Sequence, residues 1–455
     1  MTSDSKTMSP AERLEHLRTK GMQTLVNLDN NINEKPFWFD EQRFARAKLV
    51  CDNFYVSIQF SSFTGLLLVL QLPDGLEPLL CTGNSKDLPS LYKRYLSTIM
   101  HVRSWYEDDI FDPNTKAYKS IRMVRGMHRR VAKLMNEKFD VPGVEGTHRT
   151  WVNQYDMALT QFAFIGLAMV WPQKCGLISA SIDQLEGINY YWRVLGYMMG
   201  IDDEFNACAY DTYDQIHAYM KLMFEREYKQ QFEELPCPIG LDMTRGIVTA
   251  LQYYMPLVTF NTLAQWWAPC FTFNGYEPQP LSAREKLLAA WMKFSFNHVL
   301  RLSFLLGPFS RMHKRQFARR LKRKDTVYNG LVKKYADGPK FVSDRADYFN
   351  NNDNKSPAAN ASKSTANAED DGGVLASPSA CPFFVQTAYS KHFDDTFSNE
   401  KNTTNNDQAE TEAQQTPVAV ETGVANSERE LEPTFDGQAK NHFSLVNNNV
   451  HIECR

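Results

Sequence analysis

Apolar residues recur at steps of three and four through most of the first 345 positions, the period of an amphipathic helix. Capping boxes, in which a serine is followed three positions later by Glu or Gln, stand at Ser9, Ser181 and Ser282. Neither an alternating strand pattern nor a repeat of fixed period interrupts this organisation. The periodic runs cover residues 119–139, 151–171, 181–200, 208–232, 244–268 and 282–304. The pattern predicts an all-α fold with a single large multi-helix domain.

The composition changes sharply near residue 346. Beyond it the chain is rich in Asn, Ala, Ser, Thr, Glu and Gln, beginning with Asn-Asn-Asn-Asp-Asn at 350–354. Such a segment offers too little apolar surface to offset the entropy lost when its backbone is ordered. We therefore expect an N-terminal helical extension over 1–44, the main helical domain over 45–345 and a disordered low-complexity tail over 346–455.

Charge and cysteine usage narrow the functional classes. The formal net charge of −3 gives no reason to expect a nucleic-acid partner. Eight cysteines are scattered without a C-x-x-C pair, which favours free thiols in a reducing compartment over a disulfide framework. The first residues lack the apolar segment of a signal peptide, so an intracellular location is expected. Motifs of nucleotide-binding proteins and of serine hydrolases are absent.

Two segments bear on membrane contact. Residues 247–276 carry no charge but include two prolines and several amides, which favours a buried core helix over a transmembrane segment. Residues 311–324 form a basic run that could lie against anionic lipid headgroups. A solvated basic helix face explains the same run equally well.

The first chemical candidate is a histidine in an apolar helical stripe. His128 shares one helix face with Ile121, Val124, Val131 and Met135. An imidazole among hydrocarbon side chains is costly unless its nitrogens are satisfied, and binding iron is one way to satisfy them. The flanks of the stripe carry Arg122, Arg125, Arg129 and Arg130. Arginines can pair with carboxylates such as haem propionates, although a hydrogen-bonded core histidine remains the alternative.

A second candidate helix precedes it, over residues 88–105. Arg94 and Thr98 are four positions apart and therefore neighbours on one helix face, with His101 one turn further along. An ordinary amphipathic helix, whose arginine pairs with nearby carboxylates, accounts for the same residues.

These two helices together resemble the MpaB/MpaB'/rubber oxygenase catalytic domain family. Its members carry an Arg-x-x-x-Thr pair upstream of a haem-ligating histidine, and here Thr98 precedes His128 by 30 positions. The segments 151–162 and 191–201 are similar to two further stretches of that family, and the resemblance runs from about residue 45 to about residue 300.

The resemblance implies an oxidoreductase that uses haem b and dioxygen, and it makes 45–345 a catalytic domain. His128 would be the proximal iron ligand, Arg94 and Thr98 would act at the haem, and Arg122 and Arg125 would bind its propionates. The implied substrate is an apolar, unsaturated lipid or isoprenoid-like molecule. The implied location is the cytoplasm or the endoplasmic-reticulum membrane.

Two positions depart from the family's rubber-cleaving members. These have a lysine directly before the threonine, where this chain has Ser97, which is too short and too weakly basic to replace it. They also use a glutamate as a base, for which Glu77 is the nearest counterpart here. The departures put cleavage of a polyisoprene-like chain in doubt.

Two other hypotheses remain open on the sequence. A di-iron carboxylate bundle would need two Glu-x-x-His pairs. The chain offers one such pair, Glu145 and His148, in a loop, and an imperfect one, Asp214 and His217. The other hypothesis is a non-catalytic helical scaffold, or a membrane-proximal lipid-binding protein, that has lost the active centre.

Overall fold

The three predicted capping boxes each begin a helix. The side-chain oxygens of Ser9, Ser181 and Ser282 each accept a hydrogen bond from the backbone N–H three positions on. The Glu or Gln side chain at that position accepts one from the backbone N–H of the serine. The exchange satisfies amide groups that have no partner inside the helix. These starts are therefore confirmed.

A computed structural model of the chain describes residues 8–138, 141–142 and 148–341. The α-helices in these ranges are α1 Pro10–His16, α2 Glu41–Asn53, α3 Tyr55–Val69, α4 Pro73–Cys81, α5 Leu88–Glu107, α6 Lys116–Lys138, α7 Gln154–Val170, α8 Ile182–Met198, α9 Tyr213–Met223, α10 Gln230–Glu234, α11 Pro238–Ala250, α12 Phe260–Trp267, α13 Ala283–Phe294, α14 Ser303–Leu321 and α15 Lys324–Lys334. Three π-helical segments are Leu17–Gly21, Phe224–Lys229 and Ser295–Val299. The strands β1 Val141–Pro142 and β2 His148–Arg149 form a short antiparallel pair. The all-α prediction is confirmed, while the predicted tail lies outside the described residues.

The centre of the core is the contact between α3 and α7. Almost every residue of α7 is buried, and most of α3 is buried as well. The two backbones approach closely at Gly65, where an added Cβ would lie 1.8 Å from the carbonyl oxygen of Ala163. Glycine is therefore required at this crossing, because any other side chain would collide with backbone that cannot rotate away.

The described part of the predicted N-terminal extension packs into the same core. Leu14, Leu17 and Leu28 are buried. The buried guanidinium of Arg13 donates to the carbonyl oxygen of Asp203 at 2.6 Å. Residues before position 45 therefore contribute to the apolar interior.

The prediction of one continuous helical run over 244–268 is wrong. Helix α11 ends at Ala250, and α12 begins only at Phe260. Pro256 lies in the gap, where its missing N–H and its restriction on the preceding residue oppose a helix. Thr259 then caps α12 by accepting from the backbone of Thr262. The uncharged segment 247–276 is consequently two helix pieces and a turn.

Within the described residues, no single helix has both the length and the apolar character needed to cross a bilayer. The helices α3 and α4 meet that test only as a pair, and the pair is bent by 88°.

Candidate functional site

The histidine singled out in the sequence lies on α6, where that helix packs against α5. His128 is half-buried, and its Nδ1 atom is buried with no hydrogen-bond partner among the described residues. Burial, together with the nearby charges of Arg94 and Arg125, lowers the pKa of His128 to about 4. The imidazole is therefore neutral near pH 7, the form that binds a metal ion without first losing a proton.

Among the charged residues around His128, Arg94 on α5 lowers its pKa the most. Its guanidinium donates to the hydroxyls of Thr82 at 3.4 Å and Ser85 at 3.3 Å, both long contacts. Burial lowers the pKa of Arg94, and no described carboxylate pairs with it. A partly buried cation that has only two long hydroxyl contacts can be stabilised by an anionic ligand.

The two other predicted catalytic residues are Thr98, which lies on α5, and Glu77, which lies on α4. The hydroxyl of Thr98 donates to the carbonyl oxygen of Arg94 at 3.1 Å. Glu77 lies on α4 and accepts a hydrogen bond from the Cys81 thiol at 3.0 Å. Thr82, which contacts Arg94, directly follows Cys81 at the end of α4.

The two predicted propionate partners, Arg122 and Arg125, precede His128 on α6. Arg125 is buried and donates to the carbonyl oxygens of Leu28 at 2.6 Å and Met198 at 2.9 Å. Arg122 is exposed and lines a polar cavity of about 360 Å³ that Arg125 and Tyr118 also line. Arg125 thus ties α6 to the N-terminal segment in this structure, and the propionate role of both arginines stays a prediction.

A buried hydrogen-bond cluster joins α5 to α6, and the sequence pattern identified only one of its members. The Nδ1 atom of His101 lies 2.7 Å from the hydroxyl of Ser120, which also accepts from the Trp105 indole at 2.9 Å. Burial lowers the pKa of His101 to about 4. A polar Ser120 at an apolar position of α6 was the available signal. No comparable signal in the sequence linked Thr82 and Ser85 to Arg94.

The described residues give no support to a di-iron centre. His217 places its Nδ1 atom 3.1 Å from the carbonyl oxygen of Met169, a helix-to-helix contact. Glu145 lies outside the described residues. In the ranges that the structure describes, no three His, Cys, Asp or Glu side chains form a group that could hold a metal ion. A haem iron, by contrast, needs from the protein only an axial ligand such as one histidine.

The low pKa values of His101 and His128 predict an acid-sensitive protein. In the unfolded chain both imidazoles titrate near 6.5, whereas in the folded protein they stay neutral down to about pH 4. Lowering the pH from 6.5 therefore favours the unfolded state, by up to about 2 kcal/mol per histidine at pH 5. Urea denaturation of the haem-free protein at both pH values measures this loss. The variant His128→Gln should lose less stability than the wild type between pH 6.5 and pH 5. An unchanged pH dependence in that variant would contradict the low pKa of His128.

The chain was compared with known proteins. A family model described as ER-bound oxygenase mpaB/B'/Rubber oxygenase, catalytic domain, matches residues 55–297, just over half of the sequence. The comparisons with curated proteins and with solved structures found no match. The matched range begins at α3, ends in the π-helical segment Ser295–Val299 and contains Arg94, Thr98 and His128. The chain therefore belongs to the ER-bound oxygenase mpaB/B'/rubber oxygenase catalytic domain family.

Proposed function

We propose that this protein is a haem b-dependent oxygenase in which His128 is the proximal ligand of the iron. Its substrates would be dioxygen and an apolar, unsaturated molecule of the lipid or isoprenoid class. The observation that carries the proposal is the pairing of a neutral, unpartnered His128 nitrogen with Arg94, a cation that no described carboxylate neutralises. Both residues lie within the match to an oxygenase catalytic domain.

The residues present fit an anionic iron porphyrin. His128 offers a neutral imidazole, and the Arg94 guanidinium would be neutralised by a propionate carboxylate. When bound, the haem would supply the redox chemistry with dioxygen, which no side chain of the protein can provide. Arg122 and Arg125 are proposed as further partners of the haem propionates. The side chain of Arg122 is exposed and can therefore reach a carboxylate.

The remaining assignments concern position and proton transfer. Thr98 keeps the lone pairs of its hydroxyl available, because its proton is donated to the backbone of Arg94. Glu77 is the carboxylate proposed to accept a proton from the substrate, and its neighbour Cys81 orients it. Ser97 cannot act as the basic ligand that the rubber-cleaving members have at that position, which favours a substrate other than polyisoprene.

We also propose that the basic stretch 311–324 makes a peripheral contact with a membrane, consistent with a location at the endoplasmic-reticulum membrane. Arg311, Arg315 and Arg319 are exposed along α14. Arg320 donates to the carbonyl oxygen of Tyr254 at 2.8 Å, which holds the helix on the body of the protein. The exposed guanidinium groups are thus free to approach anionic headgroups.

The test is the visible spectrum of the full chain expressed with haem supplementation. A Soret band with about one haem per chain is the expected result. A colourless protein with normal helical circular dichroism would overturn the haem assignment and would favour the non-catalytic scaffold. Apoprotein titrated with haem gives the affinity that the variants below are compared with.

Arg94→Met separates the role of Arg94 from that of the iron ligand. Removing a partly buried cation without a carboxylate partner should raise the free energy of unfolding of the haem-free protein by about 1 kcal/mol. The same change should weaken haem binding, while the position of the Soret band stays unchanged because His128 is intact. Urea denaturation and haem titration measure the two effects. Equal haem affinity in the variant and the wild type would remove Arg94 from the proposed site.

A further inference from the structure

Helix α13 presents an apolar face to solvent. Leu287, Trp291 and Phe294 follow one another at steps of four and three, so they share one side of the helix. Their exposed fractions are 71%, 50% and 50%. In a helix that covers a protein core, this is the side that would be buried. In α13, all of which the structure describes, the one buried residue is Met292.

Two further exposed apolar side chains follow in the chain, at the start of α14. Leu302 is 45% exposed and Phe304 is 72% exposed. We refer to Leu287, Trp291, Phe294, Leu302 and Phe304 together as the α13–α14 face. Large apolar side chains grouped in this way mark a site of interaction with another surface, whereas single exposed ones need no explanation.

The same part of the chain carries a concentrated positive charge. Residues 283–324 contain twelve Lys and Arg side chains and one acidic residue, Glu285, in a chain whose formal net charge is −3. Glu285 caps its own helix through Ser282 and accepts from Thr259 at 2.9 Å, so it is already engaged. Exposed cations flank the apolar residues directly: Arg284, Lys286, Lys293 and Arg301.

This combination of charge and side-chain type selects the partner. Two copies of the chain meeting at the α13–α14 face would bring like charges together, which opposes self-association. A tryptophan and two phenylalanines beside Lys and Arg are typical of helices that lie in the headgroup region of a bilayer. The basic side chains can pair with anionic lipids while the apolar ones reach the acyl boundary.

We propose that α13 and the start of α14 lie in the plane of an anionic membrane, with the α13–α14 face inserted between the headgroups. The inference extends the proposed peripheral contact of residues 311–324, and it adds an apolar insertion to that electrostatic contact. It is independent of haem binding. Helix α13 can insert without unfolding the core, because its side chains other than Met292 are at least partly accessible.

The experiment is co-sedimentation of the full chain with phosphatidylcholine vesicles, with and without phosphatidylserine. The wild type should bind the anionic vesicles. The variant Leu287→Ser/Trp291→Ser/Phe294→Ser should lose about tenfold or more in partitioning, since it removes the inserted apolar surface. The matched control is Phe37→Ser/Leu49→Ser/Ile182→Ser, which changes three exposed apolar residues elsewhere and should bind like the wild type.

A second variant, Arg311→Glu/Arg315→Glu/Arg319→Glu, distinguishes the electrostatic contact of residues 311–324 from the insertion of the α13–α14 face. If it loses binding while the α13 variant binds like the control, the electrostatic contact stands and the insertion is overturned. If the wild type binds neither kind of vesicle, both the electrostatic contact and the insertion are overturned. A soluble polyanion such as heparin is a further control. If the wild type binds heparin as well as it binds the vesicles, and if the α13 variant retains this binding, insertion is also overturned. Circular dichroism verifies that each variant is folded.

Discussion

His128→Ala is expected to abolish the Soret band of protein expressed with haem. The imidazole is the one group on α6 that is neutral at pH 7, has an unpartnered buried nitrogen and lies within the electrostatic reach of Arg94. Alanine leaves no atom that could bind iron. Loss of a residue that only supports a metal ligand costs about 10- to 100-fold in metal affinity, so losing the ligand itself should exceed that range. Haem titration followed by absorption measures the change.

His217→Ala is the matched control for this experiment. His217 is also helical, but its Nδ1 atom lies 3.1 Å from the backbone oxygen of Met169, whereas Nδ1 of His128 has no partner among the described residues. The His217→Ala variant should keep the Soret band of the wild type. A full Soret band in His128→Ala would show that another residue binds the iron. Such a result would leave the family membership untouched and would move the proposed site.

Periodicity and capping were sufficient to predict most helices but not how they pair. The capping boxes at Ser9, Ser181 and Ser282 are local, since the cap and its partner are three positions apart, and all three are confirmed. The break between α11 and α12 was missed. The apolar spacing continues through Pro256, although the helix does not. The one sign of the break in the sequence is that proline has no backbone N–H to donate.

The candidate site depends on contacts between residues far apart in sequence. A periodic pattern placed His128 on an apolar face, but it could not show that Arg94 would be the neighbouring cation. Nor could it separate Arg125, whose donors bind the carbonyl oxygens of Leu28 and Met198, from the exposed Arg122. The two arginines look alike in the sequence because the carbonyl groups that bind Arg125 lie in distant parts of the chain.

Helix α13 illustrates a further limit of pattern reasoning. Its apolar spacing predicts an amphipathic helix, and the helix forms as expected. The spacing alone implies that the apolar side faces the core, whereas Trp291 and Phe294 are half exposed. Periodicity reports that one face is apolar, and the neighbouring elements decide whether protein or another medium covers it.

Gly65→Ala is expected to destabilise the protein strongly, although alanine is the better helix former. The added Cβ would lie 1.8 Å from the carbonyl oxygen of Ala163, so α3 and α7 must separate at the centre of the core. Overpacking costs about 1–3 kcal/mol when side chains can adjust and more when backbone must move. Against a gain in helix propensity of about 1 kcal/mol, the free energy of unfolding should fall by about 2–4 kcal/mol. Urea denaturation measures it.

Gly330→Ala provides the control, because Gly330 is also helical and its added Cβ would meet no atom within 4 Å apart from its chain neighbours and the backbone of its own helix. There the gain in propensity should act alone and raise the free energy of unfolding by about 0.5–1 kcal/mol. Opposite signs for the two substitutions would confirm that the close approach of α3 and α7, rather than a general intolerance of alanine, sets the cost at Gly65. Stabilisation at both positions would mean that the two helices are further apart than the structure places them. The match to the oxygenase catalytic domain begins at α3, so the same crossing supports the part of the fold that carries Arg94 and His128.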